Sequence, residues 1–301
     1  MGPFSAALLA LASLTGAQEP QDFKIRADVR LVRLLTTVKD PAGNLVGDLE
    51  KTDFKVFDNE IPQEVAVFER TTAQPLSVSL LVDTSASTAT NLKNETESVH
   101  KFIRALFKDG NTEDRASLWS FSWQVTLERE FTRDAGRLEG ALRNLKPEGG
   151  TAMYDGVQFA ARHLASRSGR HVIIIVSDGG DTTSSVKFAD AMEAAQRADA
   201  VIYPILIVPI TNDAGRNIGG EHALQTLAAG TGGRVFLSSV GSQLDRAFAN
   251  ILHELRTQYL LGYYPRNVPA TKNRFHKVRI DSVRPGLRIS ARSGYYGDAI
   301  P

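Results

Sequence analysis

The stretch Val172-Ile173-Ile174-Ile175-Val176 constrains this chain more than any other. A near-continuous β-branched run reads as a strand with no polar face, so it belongs in a sheet covered on both sides. Its surroundings agree. Val78 to Val82 is a second apolar run, and Val99, Phe102, Ile103 and Leu106 then recur at helical spacing. Ala116 to Phe121 and Gln124 to Phe131 read as two strands joined by a tight turn, and Leu138, Leu142 and Leu145 as a short helix. Phe188, Met192 and Ala195 give another helix, Val201 to Val208 another strand, and Leu244, Phe248, Ile251 and Leu255 one stripe of a long helix. Strands alternating with helices predict an α/β fold: a doubly wound, mostly parallel sheet with helices on both faces.

The two ends of the chain are patterned differently. Phe54-Lys55-Val56-Phe57 and Val65-Ala66-Val67-Phe68 flank a turn-rich segment, and Asp40-Pro41-Ala42-Gly43-Asn44 marks an earlier turn. Near the C-terminus Val278 and Ile280 alternate with Lys277 and Arg279, and Leu287, Ile289 and Ala291 alternate with Arg288, Ser290 and Arg292. This period of two suits a half-buried antiparallel sheet whose basic residues form the solvated face. Neither flank is large enough to bury a good core alone. The reading is therefore one small β-sandwich built from residues 23–72 and 257–297, with the α/β domain of residues 74–256 inserted between its halves.

Composition closes off several functions. Of 301 residues, 42% are hydrophobic, enough for a substantial core. Lys and Arg number 35 against 34 Asp and Glu, so no basic surplus argues for nucleic acid. There is no cysteine, which removes thiolate metal sites and cysteine nucleophiles. Residues 1–17 form a short apolar run ending in small residues, which reads as a secretory signal cut after Ala17 and is too short for a membrane span. The expected location is outside the cytoplasm: periplasmic, cell-surface or secreted, with no membrane span in the mature chain.

Two apolar runs end in oxygen-bearing residues. Leu80-Leu81-Val82 leads into Asp83-Thr84-Ser85-Ala86-Ser87, and in extended chain Asp83, Ser85 and Ser87 point to one side. Val172 to Val176 leads into Ser177-Asp178-Gly179-Gly180-Asp181. Ligands sit at carboxyl strand ends in open parallel sheets, so neighbouring strands would bring Asp83 and Asp178 within reach of one ion. The turn Gly149-Gly150-Thr151 can carry a third hydroxyl to the same edge. An all-oxygen set suits a hard ion such as Mg²⁺, Ca²⁺ or Mn²⁺. Asp155 reads as a helix-start or outer group, Asp181 as a solvated turn acid, and the six histidines as surface or packing residues.

Asp-x-Ser-x-Ser after the first strand, Gly-Gly-Thr ahead of a middle helix and Ser-Asp-Gly after a later strand resemble the von Willebrand factor type A domain with its metal-ion-dependent adhesion site. The resemblance covers roughly residues 74–256. It implies that Ser85 and Ser87 contact the ion through their hydroxyls, that Thr151 does so in a ligand-engaged state, and that Asp83 and Asp178 hold it directly or through water. The flanks, through Tyr259-Leu260-Leu261-Gly262-Tyr263-Tyr264-Pro265 and Ala291-Arg292-Ser293-Gly294-Tyr295-Tyr296, resemble exported bacterial proteins of acidobacterial type that carry this domain.

The resulting expectation is a metal-dependent adhesion or protein-interaction module, not an enzyme, whose ion accepts an Asp or Glu carboxylate of a protein partner. The alternatives are a metal-dependent phosphohydrolase with Asp83 as nucleophile and a metal-free scaffold of an envelope complex. No Gly-x-Ser-x-Gly elbow is present, and Ser85 stands where a second acid would help a phosphohydrolase.

Overall fold

The computed structural model describes residues 31–70, 74–108, 110–207, 217–239, 241–269, 271 and 274–297. The segment read as a secretory signal lies outside the described residues. The chain runs β1 (Val32–Lys39), β2 (Phe54–Asp58), β3 (Ile61–Gln63), β4 (Val65–Glu69), β5 (Leu76–Asp83), α1 (Leu92–Lys108), β6 (Arg115–Phe121), β7 (Val125–Thr132), α2 (Ala135–Leu142) and α3 (Met153–Leu164). It continues through β8 (Arg170–Ser177), α4 (Phe188–Arg197), β9 (Ala200–Ile207), α5 (Ile218–Thr231), β10 (Phe236–Ser238), α6 (Ser242–Thr257), β11 (Tyr259–Tyr263), β12 (Phe275–Ser282), β13 (Arg288–Ser290) and β14 (Gly294–Tyr296).

Six strands in the order β10-β9-β8-β5-β6-β7 form the central sheet, parallel except for β7 at one edge. Every residue of β5, β8 and β9 is buried, as the apolar runs require of strands covered on both faces. One face packs on α1, α2 and α6, where Val99, Phe102 and Ile103 meet Phe248 and Ile251. The other packs on α3, α4 and α5 through Val157, Ala161, Ala195, Leu224 and Leu227. The doubly wound class is as expected. The helix α5 and the edge strand β10 carry no periodicity that singled them out, because IGGEHALQTLAAGT is rich in small residues all round. Leu145 lies beyond α2 and packs on the core from the following turn.

Both flanks contribute strands to both remaining sheets, ordered β13-β1-β11-β4 and β14-β12-β2-β3. Their shared core includes Val32, Leu34, Val56, Tyr259, Leu261 and Tyr263. The segments around the 58–62 turn do not form one hairpin. β2 pairs with β3, then the chain crosses sheets and β4 pairs with β11. A buried polar knot ties the halves together: Asp58 accepts hydrogen bonds from Tyr263 (2.9 Å) and Tyr295 (2.7 Å), and its other oxygen lies 3.1 Å from His276 Nδ1. Lys277, Arg279 and Arg288 are exposed as the alternation predicts, but Arg292 is not. Its side chain is 11% exposed and is ion-paired with Asp199, because this stretch lies against the α/β domain.

Candidate metal site

The register of the central sheet determines what the site can hold. β5 and β8 are neighbours with Val82 opposite Val176, so their carboxyl ends emerge side by side. The sheet order reverses here, with β6 on one side of β5 and β8 on the other, which opens a crevice above the strand ends.

Asp83 is fully buried, and both its oxygens are held: Oδ2 accepts from Ser177 Oγ at 2.6 Å and Oδ1 from the Ser85 backbone N–H at 2.8 Å. Ser85 and Ser87 are joined through their hydroxyls at 3.0 Å, Ser85 buried and Ser87 exposed. The Thr88 hydroxyl donates to the Asp83 and Ser85 carbonyls and shapes the turn, so the serines are free of a capping duty toward α1. Ser177, which precedes Asp178 in the Ser-Asp-Gly motif, is the residue in contact with Asp83.

Thr151 is buried, and its loop is laced to the Asp178 loop: its N–H donates to Thr182 Oγ1 (3.0 Å) and its carbonyl accepts from the Thr182 and Thr183 backbones. A carbon added at Gly180 would lie 3.7 Å from Thr151 Oγ1 and 3.8 Å from Asp178 Oδ1, so these two groups face one small space. The turn at Gly150 needs its glycine. Its φ is +74°, and a Cβ there would lie 2.9 Å from Trp123 Cβ. Among the five residues singled out from sequence, three loops therefore meet at one end of one sheet. The Asp83 loop joins the Asp178 loop through Ser177, and the Asp178 loop joins Thr151 through Gly180 and Thr182.

Asp155 lies in the first turn of α3, as its sequence reading has it, whereas Asp181 behaves differently. Asp181 is not a solvated turn acid, because its Oδ1 accepts from the Tyr154 N–H at the start of α3 and from the Ser184 hydroxyl. Asp155 accepts from the Ser185 and Val186 backbones, which anchors the loop before α4. Both oxygens are taken up by local structure.

Sequence reading gave no role to Glu95, in the first turn of α1. Its side chain is fully buried and neither carboxylate oxygen has a hydrogen-bond partner. Burial pushes its pKa up to about 8, with further repulsion from Asp83 and Asp178. Asp83 is pushed up to about 6, first by burial, against the opposing pull of the Ser177 and Ser85 hydrogen bonds and with Asp178 adding repulsion. A sequence signal for Glu95 exists. The apolar stripe Val99, Phe102, Ile103 and Leu106 runs back one turn onto position 95, so a carboxylate there must face inward.

Residues 78–180 match the family model for the von Willebrand factor type A domain, and this part of the chain is a domain of that type. No curated protein matches the chain. Among solved structures, the pilus adhesin SpaC of Lactobacillus rhamnosus GG in its open conformation shares 10% identity over 82% of this chain and 41% of that one, with a TM-score of 0.51. The vWF domain of the type V pili tip protein Mfa5 of Porphyromonas gingivalis shares 17% identity over 60% of this chain and 95% of that one, with a TM-score of 0.49. BatB of Bacteroides thetaiotaomicron shares 17% identity over 60% and 97%, with a TM-score of 0.48. At these identities the likeness concerns the fold alone.

The donor set fits a hard divalent ion. Glu95 is a buried, orphaned acid, Asp83 and Asp178 repel it, and Ser85, Ser87 and Thr151 offer neutral oxygens at the same sheet edge. Among the described residues no three His, Cys, Asp or Glu side chains gather as a cage, so hydroxyls would have to complete the coordination. Trp123, 57% exposed, stands on this rim, with its indole N–H on Glu148 at 2.9 Å.

Proposed function

We propose that this protein is a metal-dependent interaction module that grips an Asp or Glu carboxylate of a protein partner through a divalent cation, Mg²⁺ or else Ca²⁺ or Mn²⁺. Ser85 and Ser87 would bind the ion through their hydroxyls, Thr151 would join them when a partner is engaged, and Asp83 and Asp178 would hold it directly or through water. When bound, the ion supplies an electron-poor centre with a position open to an incoming carboxylate oxygen. The carrying observation is the convergence of three loops around acids that have no base among them. Buried Asp83 and Glu95 and half-buried Asp178 repel one another, and a cation between the loops would relieve it. The exposed Trp123 beside the site is the kind of rim residue on which a partner surface can pack.

Export, and kinship with the exported acidobacterial-type group, belong to the same proposal. The apolar residues 1–17 and the tyrosine-bearing flank motifs support them. Among the described residues no helix is long and apolar enough to cross a membrane. The phosphohydrolase alternative is less well supported, because a fully buried Asp83 with both oxygens hydrogen-bonded is poorly placed to attack a phosphorus.

The test is thermal unfolding of wild type and Asp83→Ala with rising Mg²⁺ or Mn²⁺. At about a hundred times its dissociation constant an ion that binds only the native state adds ~2.7 kcal/mol, and this gain should vanish in the variant. Equal stabilisation of both forms refutes the site. Capture of a partner from envelope extract should likewise be abolished by chelator and by a free acidic peptide.

A further inference from the structure

At the other end of the central sheet, the amino ends of β8 and β9 meet the sandwich around a cleft that opens to solvent. Three arginines from separate parts of the chain line it: Arg33 on β1, Arg170 opening β8, and Arg292 between β13 and β14. Asp199 is the one carboxylate among the lining residues, and Arg292 is paired with it. Two positive charges are thus left over along the wall.

Their surroundings do not neutralise them. Arg170 is 5% exposed, and its guanidinium donates to the backbone carbonyls of Leu255 and Gln74. Burial pulls its pKa down to about 10, against attraction from Asp114, Tyr203 and Glu69. Arg292 Nε is buried with no hydrogen-bond partner, and the half-buried Arg33 side chain has none among the described residues. A cation held out of water without an opposite charge is costly, and a guanidinium with unused N–H groups is shaped to take a carboxylate in two-point contact. The remaining wall is mostly apolar, with Leu35, Ala200, Val201 and Leu260 beside the polar Gln74, Gln196 and Thr231.

We propose that this cleft binds a small amphipathic carboxylate, a single anionic head on the arginines with a hydrocarbon body against the apolar wall. The site is separate from the metal edge, lies at the junction of sandwich and α/β domain, and draws on residues of both.

Isothermal titration of the whole chain with cyclohexanecarboxylate, cyclohexylmethanol and inorganic phosphate tests this, using wild type, Arg33→Leu and Asp83→Ala. Cyclohexanecarboxylate should bind saturably, about tenfold or more tighter than the neutral alcohol and than in Arg33→Leu. Its affinity should be unchanged in Asp83→Ala and with chelator present, which separates this site from the proposed metal site. Equal affinity for the alcohol, unaltered affinity in Arg33→Leu, tighter binding of phosphate than of the carboxylate, or no saturable binding by about 10 mM each overturns the proposal. The alcohol and phosphate comparisons use wild type, so they hold even if the substitution disturbs folding.

Discussion

Two buried glutamates on one face of the central sheet make an instructive pair. Glu254 on α6, at the junction with the sandwich, is 1% exposed and fully engaged: Lys39 at 2.7 Å, Arg234 at 2.9 Å and the Tyr203 hydroxyl at 3.2 Å. Glu95 on α1, toward the opposite end of the sheet, is equally buried and has nothing. The helices carrying them pack together, with Phe102 and Phe248 rings 5.0 Å apart. The packing environment is shared, so the difference lies in charge. An acid supplied with bases by its own fold ties elements together. An acid left without them, beside two more acids, marks a place where the counter-charge is expected to come from outside the chain.

The contrast can be broken first at its structural end. Glu254→Ala should cost about 3 kcal/mol in urea unfolding, because it removes one partner of a buried network and strands the rest. Loss of sandwich and α/β signals in a single transition is expected, since Lys39 comes from β1 and Arg234 from the α/β domain. At the other end, the metal-free protein should lose stability as pH rises. An acid whose folded pKa is raised above its ordinary value favours the native state while protonated. The Glu95 contribution is therefore fully present below pH 4.5 and lost as pH rises through about 8. The expected swing is on the order of a few kcal/mol, flattened in Glu95→Gln, and melting curves from pH 4 to about 9 measure it. A swing unchanged by that substitution would remove Glu95 from the comparison. Gly150→Ala should cost about 1–3 kcal/mol by forcing an alanine into a left-handed turn against Trp123, and it should weaken Mg²⁺ stabilisation by displacing Thr151. Smallest is Ser177→Ala, about 1 kcal/mol, for the hydroxyl that donates to Asp83 and accepts from the Gly179 N–H. Its readout is denaturant midpoint at pH 7.

The strands that position the site were readable because burial on both faces leaves an unmistakable apolar run, as in Leu80-Leu81-Val82 and Val172 to Val176. The residues at their carboxyl ends were readable for the same reason, since a strand's end and its period of two specify which side chains share a side. Glu95 was not singled out, although its place on the α1 stripe was available, because a glutamate in a helix's first turn is ordinarily a solvated residue near the positive end of the dipole. Asp181 shows the converse case. A turn acid is usually wet, and only the approach of the α3 amino terminus gave it a backbone partner.

Local pattern alone determined the alternating α/β core, the strand-rich flanks and the oxygen-bearing loops at 83–87, 149–151 and 177–181, because periodicity and turn chemistry are properties of neighbouring residues. Tertiary structure decided which strands are neighbours, and with that the Asp83 contact to Ser177, the pairing of Arg292 with Asp199 and the isolation of Glu95. Charge compensation depends on distances between residues far apart in the chain, and no short-range pattern encodes them.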